Sequence, residues 1–445
     1  MTTDKNISLQ RILFLSLTGA LLLGALWRFR GSHGWGGESG VFNAGFLFIM
    51  FLVAVCRGAH KATPLKTAFA GAAFILTTPA WGTLNKQICG VISNKDDPLI
   101  HGVPVYSAVL IMLLLGFTMC GIFALFTANI FSEKQWKLRN YIIIIGLFFA
   151  VQYLFKATLA HPLLRLIQPV SVNAFDGGLA SENITQNVFR AYLAHFDNVS
   201  WAKKIPGGRN YFAEIELISR ACAVVCCLLV TRFGFRDKQT AKLGAIICGA
   251  FAAGITVADL FFLFFTPEGK NIQSSFVSAW SCWEYFTGFI AGGIITAAVL
   301  KLGKTGTEPE HSLGFIPRKV HNILSFAIGL SVPVAFNILR PLILRLDGVK
   351  YQIPVSIVAC LVTAVILILT GIKHKFAFSR VRTVRYSLAV LGTVFTIQTV
   401  VYFFIAGEYA AANDGFTLSN LMTAVSCAAV ILFTLICAMK ERKPD

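Results

Sequence analysis

Apolar residues run in long blocks along this chain and alternate with short clusters of charge. A bilayer-crossing helix needs about 20 mostly apolar residues, because each residue advances about 1.5 Å across a hydrocarbon core about 30 Å thick. Twelve stretches meet that requirement: Leu9–Trp27, Val41–Cys56, Leu65–Trp81, Pro104–Phe131, Tyr141–Ala160, Ile215–Thr231, Leu243–Thr266, Val277–Leu300, Val320–Ile343, Pro354–Ile372, Ser387–Ala406 and Leu418–Met439. The second and third are short and close together, which leaves eleven spans as the alternative count. The pattern predicts an all-α polytopic integral membrane protein, with one transmembrane helical domain over residues 1–445. No small-x-small site after the first stretch precedes a soluble mature domain, so that stretch is read as a span rather than a removed signal peptide.

Composition sharpens this reading. The chain is 56% apolar and 13% charged, against about 45–50% and about 25% in soluble globular proteins. Disordered, collagen-like and disulfide-rich secreted classes are excluded on the same ground. Lys and Arg total 39 against 21 Asp and Glu, a net +18. In a soluble chain that excess would point to nucleic acid; in a membrane chain basic residues gather on the cytoplasmic side. With the N-terminus inside, 24 of the 39 basic residues fall in cytoplasmic segments, and the last external loop has none. Both termini are therefore expected in the cytoplasm, and no nucleic-acid partner is needed to explain the charge. Fourteen of the 21 acidic residues lie outside or within spans, so polar chemistry is expected in the bundle or on its outer face. No G-x-x-x-x-G-K-[ST] loop is present to bind a nucleotide. The eleven cysteines lie mostly in spans without a C-x-x-C pair and read as small packing residues.

The densest polar motif follows the first span: Arg28-Phe-Arg30-Gly-Ser-His33-Gly-Trp35-Gly-Gly-Glu38-Ser-Gly40. Five glycines in thirteen residues let the backbone approach a ligand closely. Arg28 and Arg30 suit phosphate or carboxylate, Trp35 suits a sugar face or lipid interface, and His33 or Glu38 suits proton transfer. An aromatic-belt turn with snorkelling arginines is the structural alternative. His33-Gly34 and its flanking glycines resemble the His-Gly-Gly motif of prolipoprotein diacylglyceryl transferases. That resemblance covers only a few residues, and no role is carried across from it.

Depth supplies a second signal. Arg220, Asp259 and Glu284 sit six or seven residues from the outer ends of three consecutive spans, roughly 9–11 Å below the surface. Intramembrane charges usually face a cavity or one another, so a shared outward-facing pocket is expected, with Lys156 at its rim. The competing reading has Glu216 and Arg220, four residues apart, pairing on one helix face. Trp280, Glu284, Gly288 and Gly292 share a face whose G-x-x-x-G spacing predicts close approach by another helix, and Ala250 and Gly254 offer a similar seam.

Further candidates lie outside the spans. Asp96, Asp97 and His101 either share a divalent ion or begin a turn, and no metal is assigned. Residues 161–214 form a long external loop or lid, in which Asn187–Phe196 has the spacing of an interfacial helix. Arg340, before the helix-breaking Pro341, is a candidate anion-binding residue. These features lead to the expectation of a membrane transferase acting at the outer leaflet on a lipid or lipid-linked glycan with an anionic headgroup. His33, Glu38, Glu284 and Asp259 would be its catalytic residues. Arg28, Arg30, Trp35, Arg220, Arg340, Trp280 and Lys156 would bind substrate, and the sequence names no cofactor. The alternative is a secondary transporter or lipid flippase using Asp259 and Glu284. A bacterial cytoplasmic membrane is the expected location.

Overall fold

The computed structural model describes residues 8–32, 37–56, 104–134, 136–181, 208–265, 279–304, 380–405 and 417–440, with a few isolated positions. These residues are overwhelmingly helical, with no strand among them. The α-helices among the described residues are α1 (Leu9–Ser32), α2 (Gly37–Val55), α3 (Val105–Met119), α4 (Phe123–Ile130), α5 (Leu138–Ala157), α6 (Ala160–Ile167), α7 (Pro169–Ser181), α8 (Gly208–Leu229), α9 (Lys238–Asp259), α10 (Ala279–Leu302), α11 (Arg380–Val400) and α12 (Leu418–Lys440). Six described helical segments are long and apolar enough to cross a membrane, as in a multi-pass membrane protein. They belong to α1, α5, α9, α10, α11 and α12. The predicted stretches at 65–81, 320–343 and 354–372, and the amphipathic run 187–196, lie outside the described residues.

One predicted span is broken. Pro104–Phe131 reads as a continuous apolar block, but α3 and α4 meet at 55°. The break runs through Gly121, whose φ of 52° lies in the left-handed region, where a side chain on Cβ is disfavoured and glycine is not. Hydropathy alone is blind to that angle, because Cys120, Gly121 and Ile122 are as apolar as their neighbours.

Packing depends on small residues. A Cβ at Gly288 would overlap the Leu23 carbonyl oxygen and one at Gly292 the Gly19 carbonyl, so α10 and α1 run antiparallel in backbone contact. The expected partner of the G-x-x-x-G face is therefore α1. On the other side of α10, Gly254 of α9 would place a Cβ 2.6 Å from the Thr287 carbonyl oxygen. Gly116 fits α3 against Phe251 and Ala252 of α9 in the same way. The resulting order of neighbours is α5, α8, α3, α9, α10 and α1, with α2, α11 and α12 gathered around α1. The apolar window of α1 is 67% buried and that of α5 only 22%, so α1 is central and α5 peripheral. Exposed Ile142, Phe149 and Leu154 on α5, with Leu432, Leu435 and Met439 on α12, form the apolar outer surface.

At one end of the bundle the loops are tied by a buried polar knot. Asp237 caps α9, accepting from the Thr240 backbone N–H at 3.0 Å and its hydroxyl at 2.6 Å. It also accepts from Trp136 Nε1 at 2.9 Å. Asn129 accepts from the Tyr141 hydroxyl at 3.0 Å, and Gln239 Nε2 donates to the Leu302 carbonyl at 2.6 Å. Every one of these groups needs a partner once buried, so the knot fixes α4, α5, α9 and α10 relative to one another.

Candidate functional site

The opposite end carries buried ion pairs, in two clusters. In the first, Arg28 and Arg30 from the last turns of α1 meet Glu284 from the second turn of α10. Arg28 Nη1 donates to Glu284 Oε2 at 2.8 Å, and Arg30 Nη2 lies 3.9 Å from Oε1. All three residues are more than nine-tenths buried. The Arg30 guanidinium also sits 4.6 Å above the Trp27 ring, a cation–π arrangement. The two chain segments are brought together by the glycine seam below them: Gly288 lets Trp27 and Leu23 press against α10, which sets Glu284 beside Arg28.

Aromatic and amide side chains continue this cluster. Phe29 packs against Phe395 at 5.8 Å and Tyr402 at 4.9 Å. The Tyr402 hydroxyl donates to Asn420 Oδ1 at 3.0 Å, and Tyr285 and Ser426 share a hydrogen bond of 2.8 Å. Gln398 lies on the same stripe as Phe395 of α11 and Tyr402 just past its end; it is buried, and neither atom of its amide has a hydrogen-bond partner among the described residues. No significant match to a protein family, a curated sequence or a solved structure is found for this chain. The geometry of these groups therefore carries the functional reading alone.

The second cluster centres on Glu216 of α8. Lys156 Nζ reaches Oε2 at 2.7 Å, and Arg220 Nε reaches Oε1 at 2.7 Å. Gln152 Nε2 adds a bond to Oε1 at 2.6 Å. The pairing of Glu216 with its i+4 neighbour was legible from spacing; the convergence of α5 on the same carboxylate was not. Two residues earlier, Glu214 faces α7 instead and accepts from Gln168 Nε2 at 2.6 Å. Glu214 precedes the apolar stretch of its helix, and burial pushes its carboxyl up to about 8, with the polar side chains of Ser171 and Gln168 working against that shift.

A small cap covers this cluster. Helices α6 and α7 occupy the first part of the expected external loop and pack on α8 through Leu164, Val172, Phe175, Tyr211 and Phe212. Phe175 and Tyr211 stack at 3.8 Å. His161 Nδ1 and the Tyr211 hydroxyl are 2.7 Å apart, and Arg165 pairs with Asp176 at 2.8 Å. Burial holds the His161 imidazolium below its ordinary pKa, Asp176 opposing and Arg165 reinforcing that shift.

Two of the three charges expected at one depth take part in separate ion pairs. Glu284 pairs with α1, and Arg220 with Glu216 on its own helix. Asp259 is fully buried at the end of α9, the helix that separates α10 from α3. Lys156 belongs to the Arg220 cluster. Glu38 lies in the first turn of α2 and Trp280 in the first turn of α10. His33, Trp35, Arg340, Asp96, Asp97 and His101 lie outside the described residues. Among the described residues no group of three His, Cys, Asp or Glu is placed to hold a metal ion.

Proposed function

We propose that this chain is an integral membrane transferase of about twelve spans, with both termini cytoplasmic, in a bacterial cytoplasmic membrane. It works at the outer leaflet on a lipid or lipid-linked glycan with an anionic headgroup. The observation that carries the reading is the buried meeting of Arg28, Arg30 and Glu284 beside an aromatic and amide wall. Guanidinium groups match phosphate and carboxylate oxygens in a planar fork, and aromatic and amide groups suit the rest of an amphiphilic headgroup. In this reading Arg28 and Arg30 bind the anionic group and stabilise charge that develops on it. Arg220, Arg340 and Lys156 are further anion-binding groups in this reading, and Trp35 and Trp280 pack against the substrate. His33 or Glu38 takes the proton of the attacking acceptor, which Glu284 and Asp259 orient.

Transport is the second reading, and the bend between α3 and α4 favours it, since discontinuous helices recur at transporter binding sites. One experiment separates the two. The purified protein is reconstituted in vesicles containing phosphatidylglycerol and a polyprenyl-phosphate sugar, and products are read by mass spectrometry alongside leaflet exchange. Transfer predicts a new covalent product whose rate falls about 10²–10⁴-fold in His33→Ala, the scale of a lost general base. It also predicts loss of product in Glu284→Gln. Leaflet exchange with no covalent change establishes the flippase; wild-type rates in both variants remove the proposed site.

A further inference from the structure

The Glu214–Gln168 pair uses none of the residues assigned to the proposed transferase site and has an unfinished hydrogen-bond pattern. Gln168 Nε2 donates to Glu214 Oε1 at 2.6 Å and lies 3.4 Å from the Ser171 hydroxyl. Glu214 Oε2 and Gln168 Oε1 are both buried, and neither has a hydrogen-bond partner among the described residues. With Glu214 ionised, both orphan atoms are acceptors; the Ser171 hydroxyl beside the carboxyl offsets part of the cost, yet a buried acceptor without a donor remains costly. A carboxylic acid and a primary amide normally close a two-bond ring. One of those two bonds is present, and a hydrogen on Oε2 donated to Gln168 Oε1 would be the second.

We propose that Glu214 is a proton-binding site: its carboxyl carries a proton on Oε2, shared with Gln168, and this proton holds the α6–α7 cap on α8. The charged groups on the packed elements are committed elsewhere. On α6 and α7, His161 meets Tyr211 and Arg165 meets Asp176. Lys156 of α5 and Arg220 of α8 bind Glu216. Helix α3 brings only Tyr106, which is exposed, and α9, which touches α8 lightly, brings Asp259. No cation hydrogen-bonds to Glu214 among the described residues, so the carboxyl gains more from a proton than from ionisation. Glu216, two residues on, is the contrasting case: two cations hold it as a carboxylate.

Removal of the proton from Glu214 leaves a buried carboxylate against the Gln168 carbonyl oxygen and loosens the cap. Because the folded state holds this proton more tightly than the unfolded chain does, its stabilisation is complete below the ordinary carboxylate range and is lost as pH rises through about 8. The site stands independently of the transferase reading, and its test needs no substrate.

The purified protein in nanodiscs is examined by infrared spectroscopy in light and heavy water across pH 5 to 9 (roughly the span over which such a group would titrate). A protonated carboxylic C=O band should be present at neutral pH, disappear at the alkaline end, and be absent throughout in Glu214→Gln. Its absence from the wild-type protein, or its persistence in Glu214→Gln, overturns the proposal. Should Glu214→Gln fail to fold, Gln168→Leu removes the acceptor and should shift the band to higher frequency; an unshifted band is equally fatal. Thermal stability that rises with sodium at fixed pH, with no protonated band, would show a metal ion in the proton's place and overturn the assignment.

Discussion

Glu284 illustrates how much one buried carboxylate can support. Removing one partner of a buried ion pair leaves the other as an uncompensated charge, at about 3–5 kcal/mol. Glu284→Gln is therefore expected to lower the melting temperature of the detergent-solubilised protein steeply, with Arg28 left buried. Arg28→Met combined with Glu284→Leu should be less destabilised than Glu284→Gln alone, because the pair leaves together. If the double variant is the worse of the two, the ion pair is not the main interaction of either residue. The charges themselves were legible in the sequence. Their partners were not: Arg28 and Glu284 are 256 positions apart, and depth is a single coordinate that cannot say which helices are neighbours.

His161 gives a pH prediction of opposite sense to Glu214. Its folded-state pKa is lowered by burial, so the neutral ring is the form that fits beside Tyr211. The unfolded chain binds the proton more readily, and stability contributed by neutral His161 is present above about 6.5 and is lost as pH falls through the lower folded value. Limited proteolysis of the cap should accelerate on acidification in the wild-type protein and stay flat in His161→Gln. An equal acceleration in both would show that His161 is not the acid-sensitive group.

At the scale of helices, glycine position separates packing from flexibility. Gly288 has the Leu23 carbonyl and the Trp27 Cβ where its own Cβ would be, whereas Gly249, on α9, has open space. Gly288→Ala must push α1 away from α10 and should cost about 1–3 kcal/mol, the range for overpacking. Gly249→Ala meets nothing and should stabilise by up to about 1 kcal/mol through helix propensity. Melting of the two variants checks both signs at once. The Gly288/Gly292 spacing announced a close helix contact because small-xxx-small faces serve little else within a membrane. The bend at Gly121 carried no such announcement, since a single glycine in an apolar block is common and only its φ marks the break.

The whole molecule is polarised. The Asp237–Trp136 knot, the bond from Gln239 to Leu302 and the Lys304–Glu133 pair gather at one end. The Arg28–Glu284 and Glu216 clusters and the cap gather at the other. Segments far apart in the sequence meet at the first end, where residues 132–137, 235–239 and 302–304 bond to one another or to their neighbours; the distribution of basic residues leads to the expectation that this end is cytoplasmic. Asn173 on α7 and Lys304 after α10 are both exposed at opposite ends, which makes them suitable reporters. A cysteine at Asn173 should react with a membrane-impermeant maleimide in intact cells. One at Lys304 should react only after the membrane is opened, each measured above the labelling of the native cysteines. The reverse pattern would turn the molecule over and place the Arg28–Glu284 cluster at the inner leaflet. The substrate would then have to be sought among cytoplasmic headgroups, with the chemistry of the site unchanged.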